Sequence, residues 1–476
     1  MSMWKEMIDM TDKELFEDLS YQRKNVYEIM DDAAKAEMSA LCEDYKNFLD
    51  KGKTERECVI EAVRLAEENG FVPLEAKAEL KAGDKVYVVN RKKNILLAVI
   101  GTEDIEKGVN IAGAHIDSPR LDLKQNPLYE KTDMALLKTH YYGGIKKYQW
   151  TAIPLAIHGV VVTDNGIKTI NIGENPGDPV FCITDLLPHL AKDQMSKKMT
   201  EGIEAENMNV LIAGMPTPSE EVKEKVKLTV LKLLYEEYGI KESDFQTAEI
   251  EIVPAGNARD VGFDRSFVGA YGQDDRVCAY TTLRAIFETE NPKKTAVAFL
   301  ADKEEIGSMG NTGSQSAFMQ MMIAEIVEKL TGSCSVTKLN RVITNTACMS
   351  SDVNAAVDPN YESVYEMKNA TFAGYGVAIT KYTGARGKYD SSDASAEFVY
   401  EMKKIMDDNN VIWQTGELGK VDQGGGGTIA QYVANLNMDV IDVGVPVLSM
   451  HAPFEVTAKC DVYMAYKAYM AFYIDR

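Results

Sequence analysis

The chain has 476 residues, 45% of them hydrophobic, with a formal net charge of −21 and a pI near 4.8. That length exceeds one ordinary domain and supports two cores. The acidic balance argues against nucleic-acid and anionic-membrane partners, because phosphate binding depends on Lys and Arg.

From the N-terminus, Trp4 and Lys5 followed by Glu6, Asp9, Asp12, Glu14, Glu17 and Asp18 lack the basic start and apolar core of a signal peptide. No apolar run approaches the ~20 residues of a membrane helix. Cysteines at 42, 58, 182, 278, 334, 348 and 460 form no CxxC pair and are odd in number, which fits a reducing compartment. The expected location is cytoplasmic. Apolar positions three and four apart (Val26, Met30, Ala33; Val59, Ala62, Val63) predict helices over 12–69, broken at Gly52 and Gly70. Lys85–Val89 and Ile95–Ile100 predict a hairpin, and Val109–Ala114 a central strand.

After Pro119 the pattern changes. Thr151–Val162 and Ile167–Ile172 predict strands joined at Asp164-Asn165-Gly166, a type I′ turn signal. A variable polar stretch and a helix over Glu220–Tyr238 follow. From Ile250 the chain alternates predicted strands (Thr295–Ala301, Val342–Cys348, Val377–Lys381, Val440–Leu448) with predicted helices (Arg276–Glu288, Ser316–Leu330, Ser391–Met406, Ala458–Tyr473). This predicts an α/β fold, a mixed central sheet flanked by helices, with a mostly β piece inserted. The expected division is 1–119 and 253–476 for the main domain and 120–252 for the insertion.

In open α/β sheets, ligands bind beyond the carboxyl ends of strands. His115 and Asp117 follow one predicted strand, Glu304 and Glu305 a second, Asp352 a third and His451 a fourth. Singly, each has a bland reading: a satisfied histidine, a solvated Glu-Glu face, a helix cap at Asp274-Asp275, a turn at Asp352. Together they supply the parts of a two-metal site. Two ions roughly 3.5–4 Å apart can share one carboxylate and hold a water between them, and a carboxylate that is not a ligand then takes the proton. Asp117 is the nearest candidate to accept from the second ring nitrogen of His115.

The stretches Gly113-Ala114-His115-Ile116-Asp117-Ser118-Pro119, Asp302-Lys303-Glu304-Glu305-Ile306-Gly307-Ser308, Ser351-Asp352 with Asp358-Pro359-Asn360-Tyr361, and Ser449-Met450-His451 resemble, in order, the signatures of the metallo-aminopeptidase family typified by aspartyl aminopeptidase. The resemblance covers most of the chain. It implies the zinc-exopeptidase type of fold and hydrolysis of N-terminal residues from peptides, with two divalent ions, usually zinc. His115 and Asp352 would hold one ion and Glu305 and His451 the other. Asp274 would bridge them, and Glu304 would act as general base toward a bridging hydroxide. Mixed His/carboxylate sets also suit Mn and Co.

The resemblance further implies that the insertion is a dimerisation domain, that dimers assemble into a dodecamer, and that His189, in Pro188-His189-Leu190, reaches a neighbouring subunit's active site. His140 and His158 match no motif. Two positions depart from the family pattern: Asp275 and Lys303 stand where relatives often carry Asn. Lys381 aligns with a family lysine near the substrate, and Arg386 and Lys388 lie close by, so an acidic N-terminal side chain could be paired there. The Gly424–Gly427 run before Thr428 lacks the ending and spacing of a phosphate loop. Its glycines, Gly426 among them, suit close approach of main chain to substrate. The alternatives are a co-catalytic metal deacylase of N-acyl amino acids and a non-catalytic oligomeric shell.

Overall fold

A computed structural model describes residues 11–476 of the chain; Trp4, Lys5, Glu6 and Asp9 of the N-terminal stretch lie outside the described residues. The centre is a nine-stranded mixed sheet. Thr295–Ala301, Val109–His115, Ala347–Ser350 and Asp439–Gly444 lie side by side and parallel, and antiparallel strands flank them on both sides. Period-two alternation splits these strands between two cores. Val297 and Phe299 face one, with Ile323 and Val327 of helix Phe318–Thr331. Ala298 and Leu300 face the other, with Leu283 of helix Gln273–Glu288 and Phe472 of helix Lys459–Asp475. A sheet covered by helices on both faces is what such uninterrupted apolar strands require.

The parallel register sets up the site. Ala301 pairs with His115 and Ser350 with Gly113, so the residues just past all three strands emerge at one carboxyl edge. Helix Asp32–Lys51 stops at Gly52, and helix Glu55–Glu68 begins with a Thr54–Glu57 capping box.

A second, six-stranded antiparallel sheet is built from strands between Arg120 and Pro254 and covered by helix Lys225–Tyr238. It has its own apolar core around Leu121, Trp150, Leu155 and Ile252. Its long strands Arg120–Lys131 and Met134–Tyr142 fall where the sequence shows little alternation. A five-stranded sheet, which includes Pro446–Leu448 and Glu455–Ala458, adjoins the site from the other side.

Three local expectations are corrected. Val342 and Ile343 end a helix, Val336–Thr344, capped by the Ser335 side chain, and the strand begins only at Ala347. Their β-branched pair mimics a strand, yet it is the buried face of an amphipathic turn. The run Val440–Leu448 divides: Asp439–Gly444 joins the central sheet and Pro446–Leu448 the five-stranded one. At that division a Cβ on Gly444 would stand 1.6 Å from the Asp352 carbonyl oxygen, so only glycine permits the crossing. The turn at 164–166 is not type I′, because its left-handed residue is Gly166 (φ 99°), with neither Asp164 nor Asn165 at positive φ.

Candidate active site

His115 ends its strand fully buried. Its Nδ1 donates to the Asp117 main-chain carbonyl at 3.0 Å, with Asp117 Oδ1 at 3.4 Å, and its Nε2 stands 3.2 Å from Asp274 Oδ1. His451 approaches the same carboxylate from the opposite side, Nε2 to Asp274 Oδ2 at 3.1 Å, and lies 3.5 Å from Glu305 Oε1. Glu304 Oε2 and Asp352 Oδ1 sit 3.9 and 4.0 Å from His115 Nε2. Potential ligand atoms of His115, Glu304 and Asp352 lie within 4.8 Å of one another, and so do those of His115, Asp274 and Glu305. The six residues chosen as ligands and base therefore converge.

Asp117 is the hub behind this cluster. Its carboxylate accepts the main-chain N–H groups of Glu304 (3.1 Å) and Glu305 (3.2 Å) and the Tyr142 hydroxyl (2.8 Å). The turn Glu304–Ile306 is entered through Lys303 in a left-handed conformation (φ 67°), which aims both glutamates inward. Asp275 Oδ2 accepts from the His115 main-chain N–H at 3.3 Å, and potential ligand atoms of Asp274, Asp275 and Asp352 lie within 4.8 Å of one another; Asp274 is the carboxylate whose two oxygens face the two histidines.

The electrostatics call for cations. Burial pushes Glu304 up to about 7 against the pull of His115, and lifts Glu305 and Asp352 well above the usual carboxylate range. Burial also acts to raise Asp274, but hydrogen bonds with His115 and His451 outweigh it and hold that carboxyl low. Burial disfavours the proton on His451, yet Asp274 and Glu305 overcome it and raise the imidazolium to about 10. Glu305 Oε1 and Asp275 Oδ1 are buried without a hydrogen-bond partner. Orphaned carboxylate oxygens beside two imidazole nitrogens suit divalent ions of the zinc type.

Above the cluster opens a cavity of about 410 Å³, lined at its base by Asp274, Glu304, Glu305, Asp352 and His451 and at its mouth by Tyr382, Arg386, Lys388 and the glycine run. Gly426 lines it, paired with Gly384 in a two-residue ladder. Lys381 does not: its ammonium is paired with Asp393, which also binds Lys388 at 2.7 Å. His189 stands on an exposed turn, Pro188–Leu190, and takes no part in the cluster of its own chain. His140 is exposed, and His158 is buried between Glu57 and Glu174.

Sequence reading missed Glu455, Tyr142 and Gly144. Glu455 is buried and accepts from the main-chain N–H of both Asp274 and His451. Its one sequence signal is an acid in a strand-like apolar run four residues past His451. Tyr142 and Gly144 carried no signal.

Two histidines and several buried carboxylates at the carboxyl edge of a parallel sheet, open to a cavity, define a metal-dependent hydrolase. The family described as Aminopeptidase I zinc metalloprotease (M18) matches residues 48–473. A Clostridium acetobutylicum protein named probable M18 family aminopeptidase 1 is 52% identical over 460 residues, covering 96% of this chain and 99% of that one. The crystal structure of an M18 family aminopeptidase from Thermotoga maritima superposes with a TM-score of 0.93 at 48% identity, covering 96% of this chain and all of that one. The structure of an S. cerevisiae mApe1 dodecamer shares the fold, with a TM-score of 0.72 at 19% identity, covering 90% and 95%. The chain belongs to the M18 family of zinc aminopeptidases, which includes aspartyl aminopeptidase. It is a metallo-aminopeptidase, a hydrolase acting on peptide bonds. No helix among the described residues is long and apolar enough to cross a membrane.

Proposed function

We propose that this aminopeptidase works with two zinc ions, one held by His115 and Asp352, the other by Glu305 and His451, with Asp274 shared between them. The observation that carries this reading is the Asp274 carboxylate, whose two oxygens each face a different histidine at 3.2 and 3.1 Å. Bound there, the ions would supply Lewis acidity toward the scissile carbonyl and lower the pKa of the attacking water toward neutrality.

The protein's own groups do the rest. Glu304 takes the proton from the attacking water and passes it to the departing amine nitrogen as the peptide C–N bond breaks. Asp117 holds the Glu304 main chain so that this carboxylate stays at the cavity floor. The glycine run lets main chain approach the substrate. Gly425, at φ 126°, lies so close to Gly384 and Ala385 that a Cβ would stand 2.4 Å from the Gly384 carbonyl oxygen.

At the cavity mouth, Arg386 and Lys388 provide positive charge that suits an acidic N-terminal side chain. Arg386 makes no ion pair among the described residues, whereas Lys388 and Lys381 share Asp393. Residues 120–252 are read as a dimerisation domain, and assembly toward a dodecamer would let His189 serve a neighbouring site, which its exposed turn allows. All seven cysteines are free of disulfides, in keeping with a cytoplasmic setting.

The test is metal analysis of the purified enzyme together with rates on a dipeptide and its N-acetylated form. Two zinc ions per chain and cleavage of only the free-amine substrate are expected. Cleavage of the acetylated form alone, or a single ion at full activity, would reject the reading.

A further inference from the structure

One short piece of the second sheet grips the cluster at both ends. Strand Met134–Tyr142 finishes at Tyr142, whose hydroxyl donates to Asp117 Oδ2 at 2.8 Å. Asp117 passes that hold on, through its main-chain carbonyl to His115 Nδ1 and through its carboxylate to the Glu304–Glu305 turn. Two residues later the Gly144 carbonyl accepts from His451 Nδ1 at 2.8 Å. Between them Gly143 has a φ of 72°, and a Cβ there would lie 3.3 Å from Glu305 Oε2. A Cβ on Gly144 would lie 3.4 Å from His451 Nδ1. The segment is bare main chain where it passes His451 and Glu305.

The chemistry of these contacts is directional. A carbonyl oxygen only accepts, so the bond to Gly144 keeps a proton on His451 Nδ1 and reserves Nε2, which faces Asp274 and Glu305, as the nitrogen that would give its lone pair to a bound ion; the Asp117 carbonyl does the same for His115. Tyr142 is itself held. The Arg120 guanidinium lies 3.9 Å from its ring centroid and is paired with Glu251 (3.1 Å) of the second sheet and Glu55 (3.4 Å) of the helix packed on the central one. The position of the second sheet is thereby linked to both histidines.

We propose that Tyr142 and Gly144 are positioning residues of the metal centre, so that the seating of the second sheet sets how tightly and in what geometry the two ions are held. This inference rests on the two-ion reading above. Outer partners of ligating histidines commonly change metal affinity by about 10- to 100-fold. Tyr142→Phe removes one hydroxyl and keeps the ring on Arg120. Gly144→Ala adds one methyl against His451 at a residue without positive φ.

The experiment takes the full chain stripped of metal and titrates it with Zn2+ against a chromophoric chelator, with Co2+ loading read by its visible spectrum. Wild type is expected to bind two ions. Tyr142→Phe should weaken one zinc site by about 10- to 100-fold, and Gly144→Ala should shift the Co2+ spectrum, while both metal-free variants melt with the wild type. Two ions bound equally well by all three proteins, with unchanged Co2+ spectra, would overturn the inference alone. A loss of affinity matched by a fall in metal-free melting temperature would also overturn it, since the residues would then be merely structural. Fewer than two ions on the wild type would overturn the two-ion reading and this inference with it.

Discussion

Glu455 Oε2 accepts the main-chain N–H of Asp274 at 2.9 Å. Its other oxygen accepts the main-chain N–H of His451 at 2.6 Å, so one buried side chain spans the two residues that face each other across the site. Gln273 reinforces the link by donating to the Glu455 carbonyl at 2.6 Å. Replacing Glu455 with Gln would set an amide NH2 against one of those N–H groups. An unsatisfied buried donor costs about 1–3 kcal/mol, and displaced ligands lose affinity by roughly 10- to 100-fold. Both effects are expected in Glu455→Gln, measured by thermal melting and by zinc competition against a chelator. A variant with wild-type zinc affinity would show that Glu455 does not hold the ligands in place.

Glu304 lines the cavity and is the carboxylate assigned to carry the proton. Positioned general bases contribute typically 10²–10⁴-fold, so Glu304→Gln should lower kcat by roughly that factor. The amide keeps the shape of the side chain, and metal content should stay at the wild-type level. Steady-state kinetics beside metal analysis decides the matter; an unimpaired kcat would assign the base elsewhere.

Much of this site was legible because each proposed ligand or base sits within a few residues of a strand end or helix start, where short-range sequence order carries the information. His115, Glu304, Glu305 and Asp352 reach one edge through the parallel register of the central strands, whereas His451 comes from the turn between Pro446–Leu448 and Glu455–Ala458 of the five-stranded sheet. The contacts between His451 and Gly144 and between Asp117 and Tyr142 were not legible, because they join the end of a strand of the second sheet to the five-stranded and central sheets and depend on how these pack. Helix Val336–Thr344 was obscured for the opposite reason: β-branched Val342 and Ile343 carry a local strand preference that burial of an amphipathic turn overrides. The salt link of Lys381 to Asp393 likewise required the 381–393 loop to fold back on itself.

That loop frames the next expectation. Arg386 lines the cavity mouth without an ion pair among the described residues. A charge-assisted hydrogen bond to an acidic substrate side chain is worth about 1.5–3 kcal/mol when well shielded, and less at an open mouth. Arg386→Ala should therefore reduce kcat/KM for N-terminal Glu or Asp substrates by roughly 2- to 5-fold while leaving Leu substrates little changed. Equal losses on both would mean that Arg386 shapes the loop and does not select the side chain.

His158 gives a stability prediction far from the metals. Its Nδ1 lies 2.8 Å from Glu57 Oε1, on the helix packed against the central sheet, and its Nε2 lies 3.0 Å from Glu174 Oε1. Burial lowers the pKa of this imidazole, but Glu174 and Glu57 outweigh it and the net shift is upward. As an imidazolium the ring donates to both carboxylates; once neutral it has one proton, and one carboxylate faces a lone pair. A group whose native pKa exceeds its unfolded value of roughly 6.5 stabilises fully below that value, and the contribution fades as pH rises through the raised native pKa. His158→Gln should melt well below the wild type near pH 6, and the gap should narrow toward pH 9. A gap constant across that range would mean that packing, and not the proton, is what His158 contributes to the joint between the sheets.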